Sequence, residues 1–432
     1  MRFRAVDVAS ATGGRLHGPD VAIDGVSFDS RSLQTGQLFV PIVAERDGHE
    51  FIPNAMARGA AAYLTSSFRS EFGGTAIEVP DTVRALMALA AARRADFGGT
   101  VIGITGSVGK TSTKDLAWAA LAASKSTFAN ERSFNNEQGL PTAILNMPAD
   151  VEVAVLEMGM RAFGEIAELC RIAQPKIGVV TIVAEAHGDR LGGIDGVARA
   201  KSELVEALPA NGLAILNADD DRTRAMSAVS SAPVILFGGG KDADVRISAV
   251  QLDDLARASF RLDSPWGHCV VQLGVSGRHM AHNAAAALAC VGAVGGDLAA
   301  GAAALSTAGL TSMRMEIMYA PSGAIILNDA YNANPTSMRA ALEALAHLPA
   351  TRRVAVLGLM AEITDADAEH RAVLQHAQAL GLEVIAYGTD LYGIAPVADP
   401  IAALGSIASG EAVLVKASRV VGLERLVADL VR

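Results

Sequence analysis

Cysteine is scarce in this chain of 432 residues: Cys170, Cys269 and Cys290 are the whole set, and none of them forms a C-x-x-C pair. That scarcity excludes a disulfide framework and a cysteine-based structural zinc site, and it suits a reducing compartment. Basic residues are also in deficit, 36 Lys and Arg against 46 Asp and Glu, for a formal net charge of −10. Such a balance argues against a general nucleic-acid or anionic-membrane surface, while leaving room for a local basic patch that meets a phosphorylated substrate. No stretch supplies the roughly eighteen uninterrupted apolar residues that a membrane-spanning helix needs. The N-terminal Met1-Arg-Phe-Arg-Ala-Val lacks the apolar core of a signal peptide. These absences predict a cytoplasmic, globular protein that handles small anionic ligands. Its 51% apolar composition is ample for buried cores, and the length predicts two to four domains.

What the chain does possess is one stretch around which the rest is ordered, Thr100-Val-Ile-Gly-Ile-Thr-Gly-Ser-Val-Gly-Lys-Thr-Ser-Thr113. An apolar run breaks into glycines and then a Lys-Thr-Ser that opens a helical pattern, which predicts strand, phosphate loop, helix. Across Gly106, Ser107, Val108 and Gly109 the backbone N–H groups can approach an anion closely, and the helix start adds partial positive charge. Lys110 reaches outer phosphates, and the hydroxyls of Thr111 and Ser112 follow, Thr111 being suited to Mg²⁺. ATP is the expected ligand. The strict pattern G-x-x-x-x-G-K-[ST] is missed, since Ile104 stands at its first glycine and Gly103 lies one place early. The plain alternative is a glycine-rich turn with a solvated lysine.

Residues 1–97 read as a small α/β unit, with strands at Ala22 to Phe28 and Leu38 to Pro41 and a helix at Ala55 to Gly59. Asp29-Ser30-Arg31, Gly36 to Pro41 and Asp47 to Ile52 gather polar side chains at turns, where binding residues and ordinary turn chemistry look alike. Residues 98–312 alternate apolar strands with helical patterns: Val151 to Met158, Ile177 to Val183, Leu213 to Asn217 and Val234 to Phe237. This alternation predicts a mostly parallel sheet with ligands at the carboxyl ends of its strands. Glu157 closes one such run and His187 follows another, so both are candidate metal ligands, although a solvated carboxylate or histidine would read the same way. Lys201 sits beside the apolar stripe Val197, Ala200, Leu204, Leu208, where a snorkelling surface lysine is the alternative. From Ser306 to Gly323 periodicity is lost, which predicts a hinge into residues 313–432. There Ala324 to Asn328, Arg353 to Leu357, Glu383 to Tyr387 and Ala412 to Val415 read as strands of a second doubly wound unit. After the first of them, Asn328 to Pro335 crowds a carboxylate, an aromatic ring and amides into one turn, suited to a nucleotide or to helix capping.

These pieces together resemble the Mur ligases, ATP-dependent amide-forming enzymes of peptidoglycan precursor synthesis. The marks are Thr105 to Thr113, Ser133-Phe-Asn-Asn-Glu-Gln-Gly-Leu-Pro141, Leu156 to Met160, Ala186-His187, Ala198-Arg-Ala-Lys-Ser-Glu203, Leu216-Asn-Ala-Asp-Asp220, Gly277 to Asn283 and Asp329 to Met338. The resemblance implies a three-domain α/β fold: a small UDP-binding domain at 1–97, a P-loop-type parallel-sheet ATPase at 98–312, and a Rossmann-like acceptor domain at 313–432. It implies Lys110 on the outer phosphates of ATP, with Thr111, Glu157, His187 and a carbamate on Lys201 around Mg²⁺. It also implies Asn283 at adenine, Arg314 and Asp329 near ribose or phosphates, and Tyr331 and Asn332 against the nucleotide. Ser30 and Arg31 would grip the uridine diphosphate end, and Asn135 and Asn136 the sugar and its phosphates.

The branch implied takes UDP-N-acetylmuramoyl-tripeptide and D-alanyl-D-alanine, whose carboxylate Lys416 and Arg419 would meet, in a monomer with no nucleic-acid or membrane partner. Two departures lie near that acceptor pocket, Leu359 within Leu357-Gly-Leu-Met360 and Ala417 within Val415-Lys-Ala-Ser-Arg419. Rival readings are a Mur ligase that adds a diamino acid, a folylpolyglutamate- or cyanophycin-type ligase, and a non-enzymatic ATP switch. No Asp-Asn-Pro-Arg is present to mark the diaminopimelate-adding branch.

Overall fold

The computed structural model describes residues 2–131, 134–184 and 191–432. Short strands open the chain: β1 (Arg2–Arg4), β2 (Arg15–His17), β3 (Ala22–Asp24), β4 (Val26–Ser27), β5 (Leu38–Phe39), β6 (Ala62–Thr65) and β7 (Thr75–Glu78). β1 pairs antiparallel with β3, and the rest form a sheet of order β2-β7-β6-β5-β4, parallel except where β2 meets β7. The run expected as one strand from Ala22 to Phe28 is broken at Gly25, whose φ of 86° turns the chain. The expected helix at Ala55 to Gly59 begins earlier, at Ile52–Ala57, with Pro53 in its first turn where a missing N–H costs nothing.

The predicted strand before the phosphate loop is β8 (Thr100–Thr105). It belongs to a nine-stranded sheet with β9 (Thr127–Ala129), β10 (Val153–Glu157), β11 (Ile177–Val180), β12 (Leu213–Asn217), β13 (Val234–Gly238), β14 (Val245–Leu252), β15 (Arg257–Ser264) and β16 (Gly267–Ser276). The order is β16-β15-β14-β13-β12-β11-β8-β10-β9. From β11 to β14 the pairing is parallel, whereas β14, β15 and β16 pair antiparallel. The third sheet, order β17-β18-β21-β19-β20, contains β17 (Glu316–Tyr319), β18 (Ile325–Asn328), β19 (Arg352–Leu357), β20 (Glu383–Ala386) and β21 (Glu411–Lys416). It is parallel except where β17 meets β18. β17 lies inside the stretch from Ser306 to Gly323 expected to be a hinge.

Two compact units divide the chain. One comprises Met1–Gly103, Ser126–Met160 and Gly164–Lys176, and the other Ile104–Lys125, Arg161–Phe163 and Ile177–Arg432. In the second unit the helix Met280–Ala293 is apolar on nearly every side and almost wholly buried, as a helix without a polar face must be. Its run of alanines lets it lie close to the helix Lys110–Ala122 and to the strands beneath. Its first turn carries Asn283 to the phosphate loop. Among the described residues no helix is long and apolar enough to cross a membrane.

Candidate nucleotide and ligation site

The loop after β8 is shaped by glycines that nothing larger can replace. Gly106 has φ 148° and a Cβ there would lie 1.9 Å from Thr181 Oγ1; Gly109 has φ 84° and its Cβ would come within 2.7 Å of Asn283 Oδ1. Bonds to the end of β11 hold the loop open. Ser107 N–H donates to the Ile182 carbonyl at 2.7 Å, Ser107 Oγ to the Ala184 carbonyl at 2.7 Å, and Thr181 Oγ1 to the Val108 carbonyl at 2.6 Å. The helix then starts at Lys110, whose Nζ donates to the Gly106 carbonyl at 2.7 Å and so keeps its charge at the loop mouth. Thr111 and Ser112 are buried in the first turn. The result is a cradle of backbone N–H groups and one cation, with no Cβ filling it, which suits a polyphosphate.

Lys201 lies on the helix Ile194–Glu206 and is buried. Loss of solvent, with the Lys110 cation as a second cause, holds its ammonium well below the usual lysine range. No hydrogen bond or ion pair of Lys201 is found among the described residues. A neutral amine is the form that adds CO₂, so the position fits a carbamate. His187 lies outside the described residues.

Glu157 belongs to the first unit and is 1% exposed. Its Oε1 accepts from Asn135 Nδ2 at 2.6 Å, and its N–H donates to Asn130 Oδ1 at 2.9 Å. Asn135, expected at the sugar, is thus brought to the carboxylate, and Asn130 is a positioning residue that sequence reasoning missed. Asn136 Oδ1 accepts from Gly139 N–H at 2.9 Å in the turn that leads into the next helix. Ser30 is buried. The Arg31 guanidinium forks onto both oxygens of Asp29 at 2.9 Å each and holds that carboxyl below its ordinary range. Nearby in sequence, His49 is oriented by Asp47 Oδ1 at 2.6 Å from its Nδ1, while its Nε2 accepts the Ser66 N–H at 3.0 Å. That backbone bond occupies the lone pair a general base would need, so the Asp-His-Ser array is a staple between turns.

In the second unit Arg314 Nη2 donates to Thr111 Oγ1 at 3.3 Å, and its guanidinium lies 4.0 Å over the Tyr331 ring. Asp329 and Asn332 meet Lys416, which was expected at the acceptor carboxylate and is buried; Arg419 is exposed and pairs with Glu424 at 3.3 Å. Ala417 is fully buried against Gly358, and the Leu359 carbonyl accepts the Ser418 N–H at 2.9 Å. The loop at 358–361 has further supports that the sequence did not reveal. His370 Nε2 accepts the Met360 N–H at 2.9 Å while Nδ1 meets the Ala366 carbonyl at 2.6 Å, and Tyr392 donates to the Gly358 carbonyl at 2.8 Å.

The Mur ligase middle domain model matches residues 104–291, and the Mur ligase glutamate ligase domain model matches residues 313–430. The UDP-N-acetylmuramoyl-tripeptide–D-alanyl-D-alanine ligase of Mycobacterium tuberculosis is 38% identical over 94% of this chain and 92% of its own length. Among solved structures, MurF from Acinetobacter baumannii superposes with a TM-score of 0.88 at 29% identity, covering 100% of this chain and 99% of that one. The MurF ligase of Thermotoga maritima, solved in complex with ADP, gives a TM-score of 0.82 at 27% identity over 94% of this chain and 96% of that one.

Proposed function

Because the chain belongs to the Mur ligase family, we propose that it joins D-alanyl-D-alanine to UDP-N-acetylmuramoyl-tripeptide at the expense of ATP, a step in building peptidoglycan precursors. The observation that carries this reading is the 38% identity running through 94% of the chain to a ligase of that acceptor, rather than through the ATP-handling part alone. Two-step chemistry follows from the substrates. The terminal carboxylate of the tripeptide attacks the γ-phosphorus of ATP, giving an acyl phosphate and ADP; the dipeptide amine then attacks the acyl carbon, and phosphate leaves with formation of the amide. No protein nucleophile is required, so catalysis consists of positioning and charge neutralisation.

We assign residues 1–97 to the uridine diphosphate end, 98–312 to ATP and 313–432 to the incoming amine. Lys110 and the loop from Gly106 to Ser112 bind phosphates, the Ser107 N–H excepted because it donates to Ile182; Asn283 reads adenine, and Arg314, Tyr331 and Asn332 flank the nucleotide. Ser30 and Arg31 hold the uridine diphosphate end, with Asn135 and Asn136 toward the sugar. Thr111, Glu157, His187 and a carbamate on Lys201 are the assigned Mg²⁺ ligands, oxygen and imidazole donors of the kind a divalent cation takes. When bound, that cation neutralises charge building on the phosphoryl oxygens. Arg419 is the cation assigned to the dipeptide carboxylate. The protein acts as a cytoplasmic monomer on small molecules.

ADP release in the presence of Mg²⁺ and the UDP-muramoyl tripeptide tests the reading. It should depend on D-alanyl-D-alanine and stay at background with meso-diaminopimelate, L-lysine or L-glutamate. Turnover with one of those single amino acids and none with the dipeptide would refute the acceptor while leaving the ligase chemistry intact. ADP release indifferent to every acceptor would point to a nucleotide switch.

A further inference from the structure

The side chains at the carboxyl ends of β18 and β21 close on one another. Lys416, the last residue of β21, has a side chain only 1% exposed. Its Nζ lies 2.5 Å from Asp329 Oδ2 and 2.9 Å from the Asn332 carbonyl oxygen. The other oxygen of Asp329 accepts the Met315 N–H at 3.1 Å. Met313 and Met315 both adopt left-handed backbone, with φ of 64° and 51°. Residues other than glycine persist there only where neighbouring bonds hold them. Asp329 supplies that bond to Met315, and Glu316 Oε2 supplies it to the Met313 N–H at 3.0 Å. Between the two methionines stands Arg314, which stacks on Tyr331 and reaches Thr111 on the phosphate loop. Tyr331 itself belongs to the turn whose Asn332 carbonyl Lys416 grips.

We propose that Lys416 and Asp329 are positioning residues that together aim Arg314 and Tyr331 at the nucleotide, and that neither touches the acceptor dipeptide. A buried ammonium with a carboxylate and a carbonyl on it presents no face to a second carboxylate, and drawing it out would leave Asp329 buried and unpaired. Burial lowers the Lys416 ammonium while the Asp329 carboxylate works the other way. The same bonds let the residue that ends β21 clamp the turn that follows β18. The proposal rests on the ligase reading, which wild-type acceptor-dependent ADP release tests separately.

Steady-state kinetics of Lys416→Met and Asp329→Asn, with each substrate varied in turn, decide the matter. Both variants should raise the KM for ATP by about tenfold or more while the KM for D-alanyl-D-alanine stays within about twofold; Arg419→Ala should do the reverse. Because removing one member of a buried pair can unfold a turn, the double variant Lys416→Met/Asp329→Leu replaces both by apolar groups. It should melt close to wild type and still show the raised KM for ATP, a split that a purely stabilising pair would not produce. A Lys416→Met enzyme with an unchanged KM for ATP and a KM for the dipeptide raised about tenfold would overturn the proposal. So would a folded double variant with both KM values at wild type.

Discussion

Burial, and then the Lys110 charge, hold the Lys201 ammonium well below the usual lysine range. The proposed carbamate would convert it into an oxygen donor with one negative charge, remove the repulsion and offer a divalent cation a ligand. Lys201→Ala should therefore lose most activity and regain part of it with added formate or acetate, which can occupy the vacated oxygen site; a plain, unmodified lysine by mass and density analysis of the wild type, together with no effect of the substitution on rate, would refute the carbamate. Lys110→Ala leaves no core cavity, so its melting should match wild type while the rate at saturating ATP falls by at least about 10²-fold, the scale on which single charge-stabilising donors act. His370 gives a pH prediction. Burial holds its imidazole below the usual value, and protonation would turn Nε2 from an acceptor of the Met360 N–H into a second donor facing it. Because the folded value is depressed, the unfolded chain takes up the proton first. Stability is thus unaffected above the unfolded value of about 6.5 and falls as pH drops below it. Thermal midpoints measured from pH 7.5 to 5 should decline at the acid end, and His370→Gln, whose amide oxygen can accept near the position of Nε2 without titrating, should flatten that part of the curve.

Among elements, the phosphate loop was legible because its requirements are local: glycine where φ is positive, a lysine and hydroxyls at a helix start. Gly106→Ala should cost nucleotide affinity by about a hundredfold or more, since the new methyl meets Thr181 Oγ1 and φ of 148° strains any side chain; equilibrium binding of ADP measures it, and unaltered affinity would contradict the account of the loop. The strand ends bearing Glu157 and Asp329 were legible for the same reason. β14 to β16 were not singled out, although β15 buries Ala258, Phe260 and Leu262 and exposes Arg261, the period-two signal that finds a half-buried strand. β17 hid in the expected hinge because an edge strand of four residues has too few positions to show a period. The burial of Lys416 was hidden in the sequence for a different reason. The carboxylate that neutralises it lies 87 residues away, so in sequence a buried clamp and a solvated cation look identical. Asn130 and His370 escaped notice likewise, since a lone amide or histidine announces its backbone partner only after folding.

For the molecule as a whole, the residues assigned to contact the two nucleotides directly fall on different compact units, although Glu157 of the assigned Mg²⁺ set belongs to the first. Lys110, Lys201, Asn283 and Arg314 lie in one, Ser30 and Arg31 in the other. A ligand that binds only the folded form stabilises it by an amount set by its concentration over Kd, about 2.7 kcal/mol at a hundredfold excess. For a chain of several domains this appears as a shift of a transition rather than as one global free energy. ADP and a uridine diphosphate sugar should each raise a thermal transition by a few degrees. Lys110→Ala should abolish the ADP shift and spare the uridine one, because the variant removes a cation at the phosphate loop and nothing in the N-terminal turns. Arg31→Ala should do the opposite. It frees Asp29 of its guanidinium partner and withdraws a cation from the turn assigned to the uridine diphosphate. Differential scanning fluorimetry on the two variants with each ligand gives four shifts. A uridine shift lost in Lys110→Ala, or an ADP shift lost in Arg31→Ala, would mean that one set of residues serves both nucleotides, and the division of labour between residues 1–97 and 98–312 would have to be redrawn.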